Sequence, residues 1–183
     1  AGGLHRESLE RCTALRESGL ADMAALNLAV TELFLERTAP AEELLVPVLQ
    51  RLEQADRKRL DHQRIAAARE LLGIAAATRG ELADAAGHLE QALARQVGVV
   101  QDRVETMLCV LWLGVVAVRR GDEWRGRTLV RTARYWLERF DRRMPGFHAR
   151  VAVAIDDDTA LEGGVTVEPI TDFDRAVQFA LVG

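Results

Sequence analysis

The residues that could do chemistry are few, and their spacing argues against most of what they could do. His5, His62, His88 and His148 are scattered along the chain. No two of them stand one helical turn apart with an acid between, as a hydrolytic zinc site requires. Surface or interhelical histidines are therefore expected, and no metal ion. Asp156-Asp157-Asp158 offers three carboxylates. Adjacent side chains on an extended chain point in different directions, however, and the glycine-punctuated alternation of a calcium loop is missing, so a solvated turn is expected. The glycines form no phosphate-cradling motif. Cys12 and Cys109 lie far apart in sequence, and Cys109 sits within an apolar run. That reads as buried reduced thiols. No serine, cysteine or lysine has a general base at a local spacing that would activate it. The expectation is a protein without catalytic residues or cofactors. The alternative is a small-molecule-binding or enzymatic helical bundle with an apolar internal pocket.

Composition points the same way. The 183 residues are 49% hydrophobic and 28% charged, with a formal net charge of −4. This suits a globular chain and gives no reason to expect general affinity for nucleic acid or membranes. Lys58 is the sole lysine, an arginine bias that fits a high-GC bacterial genome. A basic segment followed by an apolar one is missing at the start, so a cytoplasmic protein is expected.

Periodicity predicts helices almost throughout residues 1–140. Two run from Leu4 to about Ser18 and from Leu20 to about Arg37, with Met23, Leu26, Val30, Leu33 and Phe34 on one side of the second. Thr38-Ala-Pro40 stops one helix and starts another. Pro47 requires that next helix to start late or to kink. Asp61–Arg79, Leu82 to about Arg95, Gln101–Arg120 and Asp122–Phe140 complete the row, joined by short connections that favour antiparallel neighbours.

A register of small residues repeats within this row. Leu72-Gly73 is followed by Gly80, Ala85, Leu89 and Ala92. Leu113-Gly114 is followed by Gly121, Gly126, Val130 and Ala133, each 41 positions on. Small residues at Gly73 and Ala85, or at Gly114 and Gly126, let two helices of a hairpin approach closely where they cross. Gly80 and Gly121 would end the first helix of each hairpin in the left-handed conformation.

This pattern resembles the tetratricopeptide repeat over two hairpins, about 66–96 and 107–139, with 5–37 (Cys12, Gly19, Ala24, Leu28) as a degenerate third copy. Departures are Ala76 and Ala117 where the family has an aromatic residue, no closing proline, and a period of 41 against the standard of about 34. The resemblance implies an all-α stack of antiparallel helical hairpins with a concave partner-binding face. That face would carry Glu70, Ile74, Ala77 and Thr78 from one repeat and Leu108, Leu111, Val115, Val118 and Arg119 from the other. It implies a protein- or peptide-binding scaffold or sensory domain, within a larger bacterial regulatory protein.

Residues 141–183 read as a small β/α appendage packing on the repeat domain of residues 1–140. Strands are expected at 149–155 and 165–168, and a last short helix opens with Thr171 and Asp174 as a capping box. Residues 107–118 hold twelve positions without a polar side chain. At ~1.5 Å per residue they are too short to cross a bilayer, so that helix must be buried all round. Residues 119–150 carry a net charge of +6 and residues 151–183 a net of −6. Arg127, Arg131 and Arg134 share one basic helix face. The expected occupants of the apolar surface are the chain's own C-terminal segment folded back, a foreign protein or peptide, or a second copy of the chain.

Overall fold

The computed structural model describes residues 2–14, 18–54, 59–141, 148, 149, 152, 155 and 167–182. The expected aspartate turn at 156–158 lies outside them. Among the described residues every regular element is helical. In chain order these are α1 (Gly2–Ala14), α2 (Ser18–Phe34), α3 (Thr38–Gln54), α4 (Arg59–Arg79), α5 (Leu82–Arg95), a π-helical turn (Gln96–Val100), α6 (Arg103–Arg119), α7 (Glu123–Arg139) and α8 (Phe173–Leu181). The chain divides into two compact units, Ala1–Val100 and Gln101–Gly183. The expected boundary near 140 falls inside the second.

In the first unit, neighbours in sequence pack as neighbours in space: α1 on α2, α2 on α3, α3 on α4 and α4 on α5. The core is built from small and aliphatic residues, with Leu45, Ile65, Ala68, Ala75, Ala85, Leu89, Ala92 and Leu93 all fully buried. On α2 the expected single apolar side divides in two. Leu26 and Leu33 point inward, while Met23, Val30 and Phe34 are exposed. The stripe spans only about 100° of the helix, but the buried face is turned aside from it, onto Ala24, Ala25, Leu28 and Ala29, so that Leu26 and Leu33 lie at its edge and Met23, Val30 and Phe34 outside it. Helix α3 starts at Thr38 and runs through Pro47 rather than starting after it. Pro47 is exposed on that helix, so its ring lies on the side away from α2 and α4.

The repeat register is visible in hydrogen bonds. At the end of α4 the Gly80 amide donates to the Ala77 carbonyl at 3.1 Å and the Glu81 amide to the Ala76 carbonyl at 2.9 Å. At the end of α6 the Gly121 amide donates to Val118 at 2.9 Å and the Asp122 amide to Ala117 at 3.0 Å. Both glycines have positive φ, +84° and +90°, the left-handed cap foreseen for them. In the degenerate stretch the likeness is partial. Ala24 and Leu28 are buried, but Gly19 lies inside α2 and not in a turn.

The second unit pairs α6 with α7 and sets α8 against both. Every residue of α6 from Thr106 to Ala117 is buried, as a helix apolar on all sides demands. Of the expected strand at 149–155, Ala149, Ala152 and Ile155 are described, and none of the three is in a strand. His148, Ala149, Ala152 and Ile155 are helical, and Val167–Ile170 has no regular structure. His148, Ala152 and Ile155 stand at the spacing of one helix face, which an alternation of alanine and valine does not reveal. Ala152 is buried, the Trp112 indole donates to His148 Nδ1 at 2.9 Å, and Arg127 donates to the Ile155 carbonyl at 3.1 Å. The cap of α8 is Asp172, whose carboxylate accepts from the Arg175 amide at 2.8 Å, rather than Thr171.

Candidate functional site

Helix α7 owes its start to Asp122, whose side chain accepts from the Arg125 amide at 3.2 Å. Its inner face is Gly126, Leu129, Val130, Ala133 and Leu137, all buried. A neighbouring face carries Arg125, Thr132 and Trp136, and these, with Arg131 from farther round the helix, reach the backbone of residues 167–182. Arg131 donates to the Val167 carbonyl at 2.6 Å. Thr132 Oγ1 accepts the Ile170 amide at 2.9 Å, and Trp136 Nε1 donates to the Ile170 carbonyl at 3.1 Å. Thr132 is free to accept because its own proton goes to the Thr128 carbonyl at 2.6 Å, the ordinary fate of a helical threonine hydroxyl.

The run Val167–Thr171 stays out of a helix for a local reason. Pro169 disfavours helical geometry at Glu168 and offers no amide of its own. Asp172 then caps α8, and the chain returns along α7. At one end Phe173 meets Trp136 edge-on with centroids 5.3 Å apart, and Arg103 lies 5.2 Å over the Phe173 ring. At the other end Arg125 donates to the carbonyls of Ala180 at 2.9 Å and Val182 at 2.6 Å. Phe179 packs edge-on to Trp124 at 5.8 Å. A guanidinium across the last carbonyls of a helix satisfies groups without intrahelical partners and opposes the helix dipole. Between the ends, Ala176, Val177 and Ala180 are buried, whereas Glu168, Asp172, Asp174 and Arg175 face outward.

The arginines of the expected basic face are thus largely turned inward. Arg127 is buried, bonded to the Ile155 carbonyl and 3.5 Å from Glu123, and Arg131 and Arg134 are half-buried. The bonds from Arg125 and Arg131 to residues 167–182 end on carbonyl oxygens, not on carboxylates. Of the residues expected to line a concave face, Glu70, Ile74, Leu108, Leu111 and Val115 are buried and Val118 is half-buried; Thr78 and Arg119 are exposed. Val118 is occupied against Gly126, and the Thr78 hydroxyl donates to the Ile74 carbonyl at 2.9 Å. Glu70, Ile74 and Thr78 belong to the first unit and the α6 positions to the second. Thr132, Trp136 and Arg125 were not foreseen as site residues. Their signal in the sequence was an i, i+4 threonine–tryptophan pair beside the arginine row.

Elsewhere the chemistry is sparse. Among the described residues no group of three or more His, Cys, Asp or Glu side chains could hold a metal ion. Among the described residues no helix is long and apolar enough to cross a membrane either. Burial lowers the His148 pKa to about 4, so near neutrality it is a neutral imidazole accepting from Trp112. No protein-family model matches the chain, and no curated protein or solved structure matches it either.

Proposed function

We propose that the chain is a protein- or peptide-binding scaffold of stacked helical hairpins, similar to the tetratricopeptide repeat and without turnover of its own. In this reading it serves as an interaction or sensory module of a larger regulatory protein in the bacterial cytoplasm. One observation carries it: α7 holds a non-helical segment by its backbone, through Arg131, Thr132 and Trp136. A groove that takes the apolar face of a short helix is one recurring way to bind a peptide, and here side chains of α7 also reach the backbone that leads into the short helix α8.

Selection of phage-displayed random peptides on the full chain tests this. Enrichment of a recurrent apolar pattern, with micromolar binding of the synthetic peptides, is expected. A surface that enriches nothing, while small hydrophobic compounds raise the melting temperature, would favour an internal small-molecule pocket instead.

A further inference from the structure

Helix α2 is enclosed on every side but one. From Gly19 to Phe34 its exposed side chains are Leu20, Met23, Asn27, Val30 and Phe34, and all the others are buried or half-buried. The four apolar ones are exposed to 55%, 44%, 37% and 40% in that order. They follow one another at alternating steps of three and four residues, along the side of the helix opposite the buried Ala25 and Ala29. The outward side of a helix ordinarily carries charge. The two acids of α2, Asp22 and Glu32, are buried instead, so this side has no charge at all.

Alternating steps of three and four are the a and d positions of a coiled-coil seam, a strip narrow enough for one helix to cover. Four half-exposed apolar side chains in a row make a patch of a few hundred Å², which on a single chain marks an interaction site. Its one polar member, Asn27, stands at the middle a position, with Leu20 and Phe34 one heptad before and after it. Against an aliphatic residue of a facing helix, the Asn27 amide would lose water and gain no partner. Against a second asparagine at the same level it both donates and accepts. Charges beside a seam select a foreign helix, and the flanking positions here, Ala24, Leu26, Thr31 and Leu33, have none. The helix that answers the strip at every level is α2 itself.

We infer that α2 is a dimerisation helix, and that two copies of the chain pair these strips in parallel about a two-fold axis. Asn27 then meets Asn27 of the partner subunit, and Leu20, Met23, Val30 and Phe34 each meet their own counterpart. A two-fold contact uses the same patch on both copies, as a strip that matches only itself requires. A stable dimer buries about 800 Å² on each partner. The strip is smaller, so it forms the core of the contact with the polar surface beside it as the rim, and the dimer is micromolar rather than nanomolar. The inference goes beyond the peptide-binding reading and does not depend on it.

The test is sedimentation velocity of the full chain from about 1 to 100 μM. The mean mass should rise with concentration toward that of two chains. Val30→Glu and Met23→Lys put a charge into the seam at positions that face water in the single chain. Each should weaken association at least about tenfold and keep a cooperative melt. Asn27→Leu should act the other way, tightening association about tenfold and admitting species larger than a dimer, since an asparagine at an a position gives up affinity for one defined pairing. Phe34→Cys in a Cys12→Ser background should cross-link to its own copy on oxidation, and Cys12→Ser alone should not. A wild-type chain that stays monomeric throughout would overturn the proposal and leave a foreign helix as the candidate cover. So would Val30→Glu and Met23→Lys chains that associate as tightly as wild type, or that both lose the cooperative melt, since the strip would then be core. A dimer without the cross-link at position 34 would overturn the parallel pairing.

Discussion

Gly114 and Gly126 press backbone against backbone: a Cβ on Gly114 would lie 2.8 Å from the Gly126 carbonyl oxygen, and one on Gly126 would lie 2.6 Å from that of Gly114. Neither neighbour is the end of a flexible side chain, so the helices must separate to admit a methyl group. At the corresponding place in the other hairpin, a Cβ on Gly73 would meet Leu89 Cγ at 2.7 Å and the Ala85 carbonyl at 3.2 Å. There a leucine side chain can give way in part. Gly114→Ala and Gly126→Ala should each destabilise by about 1–3 kcal/mol in denaturant melts, and Gly73→Ala by less. Gly87 in α5 has nothing within 4 Å of its would-be Cβ. Gly87→Ala should therefore stabilise by roughly 0.5–1 kcal/mol. If all four behaved alike, the helix crossings would be misplaced.

Arg125 spans two carbonyls at the end of α8 and stacks 5.5 Å over Phe179. Arg125→Ala should cost about 1–2 kcal/mol. Arg125→Lys should recover only part of that, because an ammonium cannot bridge both oxygens in one plane. Glu168→Gln and Asp174→Asn, which alter only outward carboxylates, should each stay within about 0.5 kcal/mol. Parallel thermal melts of the four variants separate carbonyl capping from charge attraction; a larger loss at Glu168 or Asp174 than at Arg125 would reverse the assignment.

Asp22 on α2 is buried with its carboxylate on the Arg51 guanidinium of α3, whose own side chain is half exposed. Arg51→Ala strands a buried charge and should cost about 2 kcal/mol, below the ~3–5 of a fully buried pair because water reaches the arginine side. Glu32 is likewise buried but lies 3.6 Å from both Arg6 and Arg37, so Arg37→Ala should be milder. Urea denaturation of both variants checks the order.

Stability should fall in mild acid. The folded His148 pKa is lowered to about 4 by burial, against 6.5 when unfolded. Above pH 6.5 both states are neutral and nothing is lost. As the pH falls from 6.5 to about 4 the unfolded chain takes up a proton that the folded chain refuses, costing at most about 3 kcal/mol. His88, also lowered chiefly by burial, acts in the same direction. His148→Gln keeps an acceptor for Trp112 without the titration, and its melting temperature should decline less between pH 7 and 4.5. An unchanged decline would assign the acid sensitivity to other groups.

The hairpin register was legible because glycine and alanine at fixed spacing answer to a single cause, the approach of two helix axes. Helix α5 occupies the predicted Leu82–Arg95, and the buried α6 follows from a run with no polar side. The stretch 149–155 misled because alternation of alanine with valine satisfies a strand face and a helix face alike, and only tertiary packing decides between them. The α7 surface that holds the C-terminal segment was harder still to read. Its chemistry is side chain to backbone, and a carbonyl that will accept a bond leaves no mark in a sequence. Charge suggested that residues 151–183 would approach the arginine row; where the described residues 167–182 meet Arg125 and Arg131, the accepting atoms are carbonyl oxygens.

Amide exchange at Ile170 in the full chain is the most direct measurement of whether α7 holds the C-terminal backbone. Ile170 lies outside any helix, so Thr132 Oγ1 is the acceptor that protects its N–H. In the wild type this amide should exchange about tenfold or more slowly than in the isolated peptide of residues 167–182. Thr132→Val, nearly identical in shape, should return it to the rate in the peptide while the amides of α6 keep theirs. An Ile170 amide that exchanges in the wild-type chain as fast as in the free peptide would contradict the docking of this segment on α7.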